Sequence, residues 1–445
     1  MPHRSCPTAL VALLVATGAC ACNSDGSRLV VASDEATEPG ALPSPARNQP
    51  SGQVLPRERA GAEPEGPSGS TDTPPERSPS GSEPTPERTA AQGDEFAWSL
   101  PPGFPPPLVP DDNPMSVAKV ELGRHLFYDV RLSDNESMSC ATCHRQELAF
   151  TDGRAVSVGS TGEAHTRGSM SLANVAYATT LTWGHPYLAP LERQAAVPMF
   201  GRAPTELGLT SEAALEERLR SIAAYEPLFL EAFPDDPAPI RVGNLIQALA
   251  CFQRTLISGR SAYDRWVYDG DESALSESAR RGFELFNSER LECFHCHLGF
   301  AMTDHISYRG QRNPGVLFHN TGLYNLDGSG AFPEPNTGVY DVTRDPADMG
   351  KFKAPTLRNI AVTAPYMHDG SIGTLSEVLD HYAAGGRTID AGPYAGVGSE
   401  SPLVSELVRG FTLSEQERAD VIAFLASLTD PEFLENPQLS DPWTP

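Results

Sequence analysis

The stretch "RRGFELFNSERLECFHCHLGF", residues 280–300, decides how the chain is read. It starts with helical spacing, placing Gly282, Leu285 and Phe286 along one side, and ends in a loop that carries Cys293, Cys296 and His297. A second copy lies upstream. "LGRHLFYDVRLSDNESMSCATCH", residues 122–144, sets Gly123, Leu126 and Phe127 ahead of Cys140, Cys143 and His144. A repeated helix–loop–Cys-X-X-Cys-His unit points to two related domains.

The pentapeptide has a chemical reason for its spacing. Two thiols separated by two residues reach both vinyl groups of one porphyrin, and the next residue turns its imidazole to the iron. Cys140 and Cys143 would hold a first haem with His144 on its iron. Cys293 and Cys296 would hold a second, with His297 on the iron. A zinc site would use the four sulfurs without needing a histidine in each copy or a shared Leu-Phe helix. A redox disulfide would sit at a strand-to-helix junction, and none is visible in the pattern. His295, inside the second pentapeptide, reads as an incidental loop residue.

Working outward, the chain has 445 residues, enough for two or three domains with their own cores. Its formal net charge is −25, which argues against nucleic acid or an anionic membrane surface as partner. The start, "MPHRSCPTALVALLVATGACACNSDGS", has a short basic segment, an apolar run too short to cross a bilayer, and small residues before Cys20. That reads as a signal peptide over 1–20 with Cys20 as a lipidated N-terminus, Cys22 being the alternative, and so as export to the periplasm with the membrane met only through the lipid. Residues 21–95 are rich in Pro, Ser, Gly and Glu and read as a disordered tether. Of the 8 cysteines, only Cys251, in "ALACFQRTL", is left without a role, and a buried inert thiol fits it.

Helical periodicity recurs in "NPMSVAKVELGRHLFYD", "SEAALEERLRSIAAY", "IRVGNLIQALACFQRTLIS", "SESARRGFELFN", "TLSEVLDHYA" and "LSEQERADVIAFLASL", the last with a capping box of Ser414 and Glu417. Strand signals are scarce. The expected fold is mainly α, with two cytochrome c-like haem domains, 96–240 and 241–445, behind the tether.

These motifs, followed in order by "AFTDG", "SLANVAYATTLTWG", "LERQAAVPMF", "RTLISGRSAYDRW", "FKAPTLRNIAVTAPYMHDG" and "TLSEVLDHYAAGG", resemble the bacterial di-haem cytochrome c peroxidases and the related MauG enzymes over nearly all of residues 96–430. The opening "FAWSLPPGFPPPLVPDDNPMS" and the helix with Tyr382 are similar to the MauG-like MbnH branch. The resemblance implies a peroxide-binding first haem whose distal pocket is lined by Gln194, Pro198 and Glu206, with Glu206 as general acid/base and Gln194 positioning peroxide. The family's closing histidine would fall near Ser160, and His165 is no clear match, so the first haem is expected to be open.

The same resemblance implies that Trp183, 39 residues past His144 (183 − 144), lies between the haems. It also implies that Tyr382, 14 residues past His368 (382 − 368), is the second ligand of the haem-two iron, with Met367 the rival. Arg358 would pair with a haem propionate. A calcium ion would take the carbonyls of Thr363 and Pro365, although Gly168 stands where a third ligand is usual. The implied activity is peroxide-driven oxidation of an aromatic residue, Trp first, on a partner protein. The alternative is peroxide reduction fed by a small cytochrome or cupredoxin.

Overall fold

The computed structural model describes residues 96–312 and 314–443. The leader, Cys20 and the tether lie outside the described residues. Twelve helices are found among them: α1 (Val117–Tyr128), α2 (Cys140–Cys143), α3 (Leu191–Phe200), α4 (Glu212–Arg220), α5 (Tyr225–Ala232), α6 (Val242–Arg254), α7 (Ala262–Tyr268), α8 (Glu277–Phe286), α9 (Tyr340–Thr343), α10 (Leu375–Ala383), α11 (Glu415–Ser427) and α12 (Pro431–Glu435). The one sheet among the described residues pairs Thr388–Ile389 with Gly396–Val397, antiparallel. No helix among them is long and apolar enough to cross a membrane.

The six helical patterns read from sequence correspond to α1, α4, α6, α8, α10 and α11. Their ends carry the chemistry that the capping positions suggest. Ser414 Oγ accepts the Glu417 N–H at 3.2 Å, and the Glu417 carboxylate accepts the Ser414 N–H at 2.8 Å. Ser116 caps α1 and Ser276 caps α8 in the same manner, each side chain accepting an N–H three residues on.

The internal repeat has a physical basis in two helix crossings. α1 packs on α6 through Gly123, where a Cβ would collide with the Ala248 carbonyl oxygen and lie 2.9 Å from Phe252 Cβ. α8 packs on α11 through Gly282, where a Cβ would collide with the Asp420 carbonyl oxygen and lie 2.9 Å from Phe424 Cβ. In both pairs the missing side chain lets two backbones touch. The adjoining Leu126, Phe127 and Phe252, or Phe286 and Phe424, then fill the core on either side.

The two cores are not divided at residue 240. The first takes in α6 through Leu256, and the returning segment adds Phe433 and Leu439. This follows from the crossing at Gly123: α6 is buried along most of its length because α1 needs it as a partner. The second core gathers Tyr263, Phe286, Leu379 and α11. A third, mostly aromatic cluster of Tyr324, Phe332, Phe352, Tyr366 and Ile372 closes the far side of the second core's cavity.

Candidate haem sites

Each Cys-X-X-Cys-His unit folds tightly just after its helix–loop. Cys140–Cys143 forms the single turn α2, and Cys293–His295 a 3-10 turn. All four thiols are free. The two histidines are held identically. His144 Nδ1–H donates to the Phe150 carbonyl at 2.8 Å, and His297 Nδ1–H to the Met302 carbonyl at 3.3 Å. A carbonyl on Nδ1 fixes the tautomer and leaves Nε2 with a lone pair for a metal. Burial pushes both imidazoles below their ordinary pKa, so the rings are neutral, as ligation requires.

The second unit opens on a cavity of about 1350 Å³, its mouth included, walled by Cys293, Cys296 and His297 on one side and by Phe332, Phe352, Tyr366 and His368 elsewhere. α10 presents Leu375, Val378, Leu379 and Tyr382 to this space, the stripe expected of one helix face. The Tyr382 phenol is raised well above the usual range, first by burial and then by the nearby Cys296 and Cys293. Met367 lines the same cavity at φ +70°, packed in the aromatic cluster that includes Trp183. The structure therefore brings Tyr382 and Met367 to one space.

A flat apolar cofactor fits these walls. Paired thiols and the His297 imidazole stand at its edge, and the buried His368 Nε2 has no hydrogen bond, as a group awaiting a ligand would.

Trp183 lies in the wall of the same cavity. Its indole N–H donates to the Gly168 carbonyl at 2.8 Å, its own carbonyl accepts the Lys353 N–H at 2.8 Å, and Gly168 N–H donates to the His368 carbonyl at 2.9 Å. Two residues past Gly168, the Met170 carbonyl lies against His144. One short segment thus runs from the indole to the first histidine.

At the first unit, Gln194 and Pro198 share a face of α3, four residues apart. Pro198 lacks an N–H, so the Gln194 carbonyl loses its helical donor. The chain then doubles back, Leu207 N–H donating to the Pro198 carbonyl at 2.9 Å, and this sets Glu206 beside the last turn of α3. Burial pushes the Glu206 carboxyl up to about 7. Its charge reaches both Cys140 and Cys143, whose thiols burial raises to about 12 and about 11.

Arg358 is held by protein groups. Its guanidinium is fully buried and donates to both oxygens of Asp264 at 2.6 Å and to the Phe300 carbonyl, with no part of it in the cavity wall. The cation that does line the cavity is Lys353, whose Nζ donates to the Thr180 carbonyl at 2.7 Å and is lowered to about 8 by burial. Beside it, His319 Nε2 contacts Asp304 at 2.7 Å, close to Cys296. Sequence reading passed over Lys353 and the Asp304–His319 pair. A lysine inside the apolar run "KFKAP" was the one available signal. Thr363 and Pro365 lie in the loop that leads to His368, and the Gly168 carbonyl between these elements is already taken by Trp183.

Two such thiol–thiol–imidazole anchors, one facing a large apolar cavity and the other the half-buried Glu206 carboxyl, point to a di-haem c-type oxidoreductase. Comparison with known proteins fixes the family. The profile of di-haem cytochrome c peroxidase matches residues 117–273. The chain is 37% identical over 333 residues to the methylamine utilization protein MauG of Methylorubrum extorquens, covering 74% of this chain and 84% of that one. It is 34% identical over 373 residues to the cytochrome-c peroxidase IdrP1 of Denitromonas iodatirespirans, covering 80% and 94%. A crystal structure of a MauG-like protein associated with microbial copper homeostasis superposes with a TM-score of 0.77 at 49% identity, covering 78% of this chain and 99% of the other. The chain belongs to the di-haem cytochrome c peroxidase family, and is an oxidoreductase of that family.

Proposed function

We propose that the chain is a periplasmic, lipid-anchored, MauG-like enzyme that uses hydrogen peroxide to oxidise an aromatic side chain, Trp first, of a partner protein. The observation that carries this reading is Tyr382: the α10 face turned to the haem-two cavity ends in a phenol, an oxygen donor that favours oxidised iron. When bound, the haems supply peroxide activation at the first site and storage of oxidising equivalents at the second.

The protein's own groups do the rest. His144 and His297 offer Nε2 to the irons, while Cys140, Cys143, Cys293 and Cys296 provide the thioether sulfurs. Glu206, poised near neutrality by burial, takes a proton from one peroxide oxygen and returns it to the other. Gln194 and Pro198 shape the space in which peroxide is held. Trp183 would carry electrons between the two sites, and Arg358, held by Asp264, and Lys353, in the cavity wall, are the two cations that would serve a propionate. A calcium ion would have the Thr363 and Pro365 carbonyls as its protein donors, few against the six to eight oxygens it takes. The similarity to a copper-associated MauG-like protein makes an exported copper-handling protein the partner class to try first.

Met367, in the same cavity, favours a second reading as a cytochrome c peroxidase fed by a small cytochrome or cupredoxin. One experiment separates them. Holoenzyme is mixed with one equivalent of peroxide, with and without reduced cytochrome c. A persistent spectral change at both haems, little accelerated by the donor and confined to the first haem in Trp183→Phe, supports remote oxidation. Fast turnover of the donor supports the second reading.

A further inference from the structure

The aromatic cluster behind the haem-two cavity does not end inside the protein. Phe332 lines the cavity, and its ring lies 5.5 Å from that of Tyr324 at 79°. Tyr324 in turn lies 5.7 Å from Tyr394 at 68°. The first tyrosine is 6% exposed and the second 48%. Among the described residues, Tyr187 and Tyr394 are the aromatic side chains classed as exposed. Tyr187 has only His185 as a ring neighbour, whereas Tyr394 stands at the end of a ring-to-ring path from the cavity.

Tyr324 also has what a redox-active phenol needs. A tyrosine that loses an electron becomes a strong acid, so its oxidation near neutral pH requires a base already on the hydroxyl. Here the Tyr324 hydroxyl donates to Asp369 Oδ2 at 2.7 Å. That carboxylate also accepts the Ser371 N–H at 3.1 Å. The carboxylate oxygen is thus already in place to take the phenolic proton. Tyr225 has a comparable partner in Asp129, so the carboxylate alone does not single Tyr324 out; its place between the cavity wall and an exposed tyrosine does.

We infer that Tyr324 and Tyr394 form the exit by which oxidising equivalents leave the haem-two side for a protein partner, with Asp369 as the proton acceptor of Tyr324. The inference rests on the remote-oxidation reading above and names its route. Tyr324 gives one electron toward the cavity and its phenolic proton to Asp369, leaving a neutral radical. Tyr394 then gives an electron to Tyr324, which recovers its proton from Asp369, while the Tyr394 proton passes to water. The partner's aromatic side chain restores Tyr394 with one electron and releases its own proton to water, while water returns to Tyr394 the proton it gave up. Two passages remove two electrons and two protons from the partner, matching the two of each that convert hydrogen peroxide to two waters.

The test uses holoenzyme with one equivalent of peroxide and a nitroso spin trap, followed by peptide mass spectrometry, with peroxide consumption measured in the same samples. The expected result is an adduct on Tyr394 in the wild type. Tyr324→Phe, which keeps the ring packing, should lose it and let the oxidised enzyme persist. Asp369→Asn, which can still accept the hydroxyl hydrogen bond but not its proton, should slow adduct formation by about 10²-fold, with unchanged haem spectra and thermal midpoint showing the fold intact. Tyr394→Phe should consume peroxide as the wild type does. An undiminished Tyr394 adduct in Tyr324→Phe, or an adduct on Tyr187 with Tyr394 unlabelled, would overturn the route. Consumption without any Tyr394 adduct overturns the route alone. A wild type that leaves peroxide unconsumed overturns the underlying reading as well.

Discussion

Glu206 is the residue whose environment speaks most directly to chemistry. A carboxyl raised to about 7 by burial is half protonated near neutral pH. It serves as base only when ionised, so the peroxide rate constant should climb with pH through about 7 and level off above it. In Glu206→Gln the rate should fall by about 10²-fold or more and that inflection should vanish, as stopped-flow mixing over a pH series would show.

Other residues were open to sequence reading to different degrees. Cys140, Cys143, His144 and their counterparts are legible because covalent attachment dictates both identity and spacing. Arg358 was not: nothing in "TLRN" reveals that Asp264, 94 residues earlier, takes its guanidinium. His368 served in the sequence only as a ruler to Tyr382, since an unpartnered buried nitrogen can be recognised only once its surroundings are known.

The two helix crossings carry the fold's symmetry. A glycine on α1 meets a backbone carbonyl of α6, and a glycine on α8 meets one of α11. Gly123→Ala and Gly282→Ala should each force the helices apart and cost about 2 kcal/mol, read as a lower denaturant midpoint of the holoprotein. The Gly–Leu–Phe signature made α1 and α8 recognisable as equivalents. Their partners could not be named in advance, because α6 and α11 lie more than a hundred residues further along and pattern alone does not pair helices. The same gap explains why the first core runs past residue 240. Short elements such as α2 and α9 carry too few residues for a periodic signal.

Across the whole molecule, the organisation is two related anchors joined by one segment. His144, the Met170 carbonyl, the Gly168 carbonyl, the Trp183 indole and the haem-two cavity follow one another without a break. Mostly helical architecture and duplication were visible from the motifs. The joining segment was not, since its contacts are backbone carbonyls that any residue could supply. The proposed MauG-like reading would have Tyr382, and the peroxidase reading Met367, as the further protein group for the second haem.

Electron paramagnetic resonance of the ferric holoprotein, alongside Tyr382→Phe, tests this most directly. The expected result is one high-spin and one low-spin haem in equal amounts, the low-spin signal disappearing or changing type in the variant. A low-spin signal untouched by Tyr382→Phe, accompanied by the charge-transfer band of methionine-ligated ferric haem, would contradict it and hand the position to Met367.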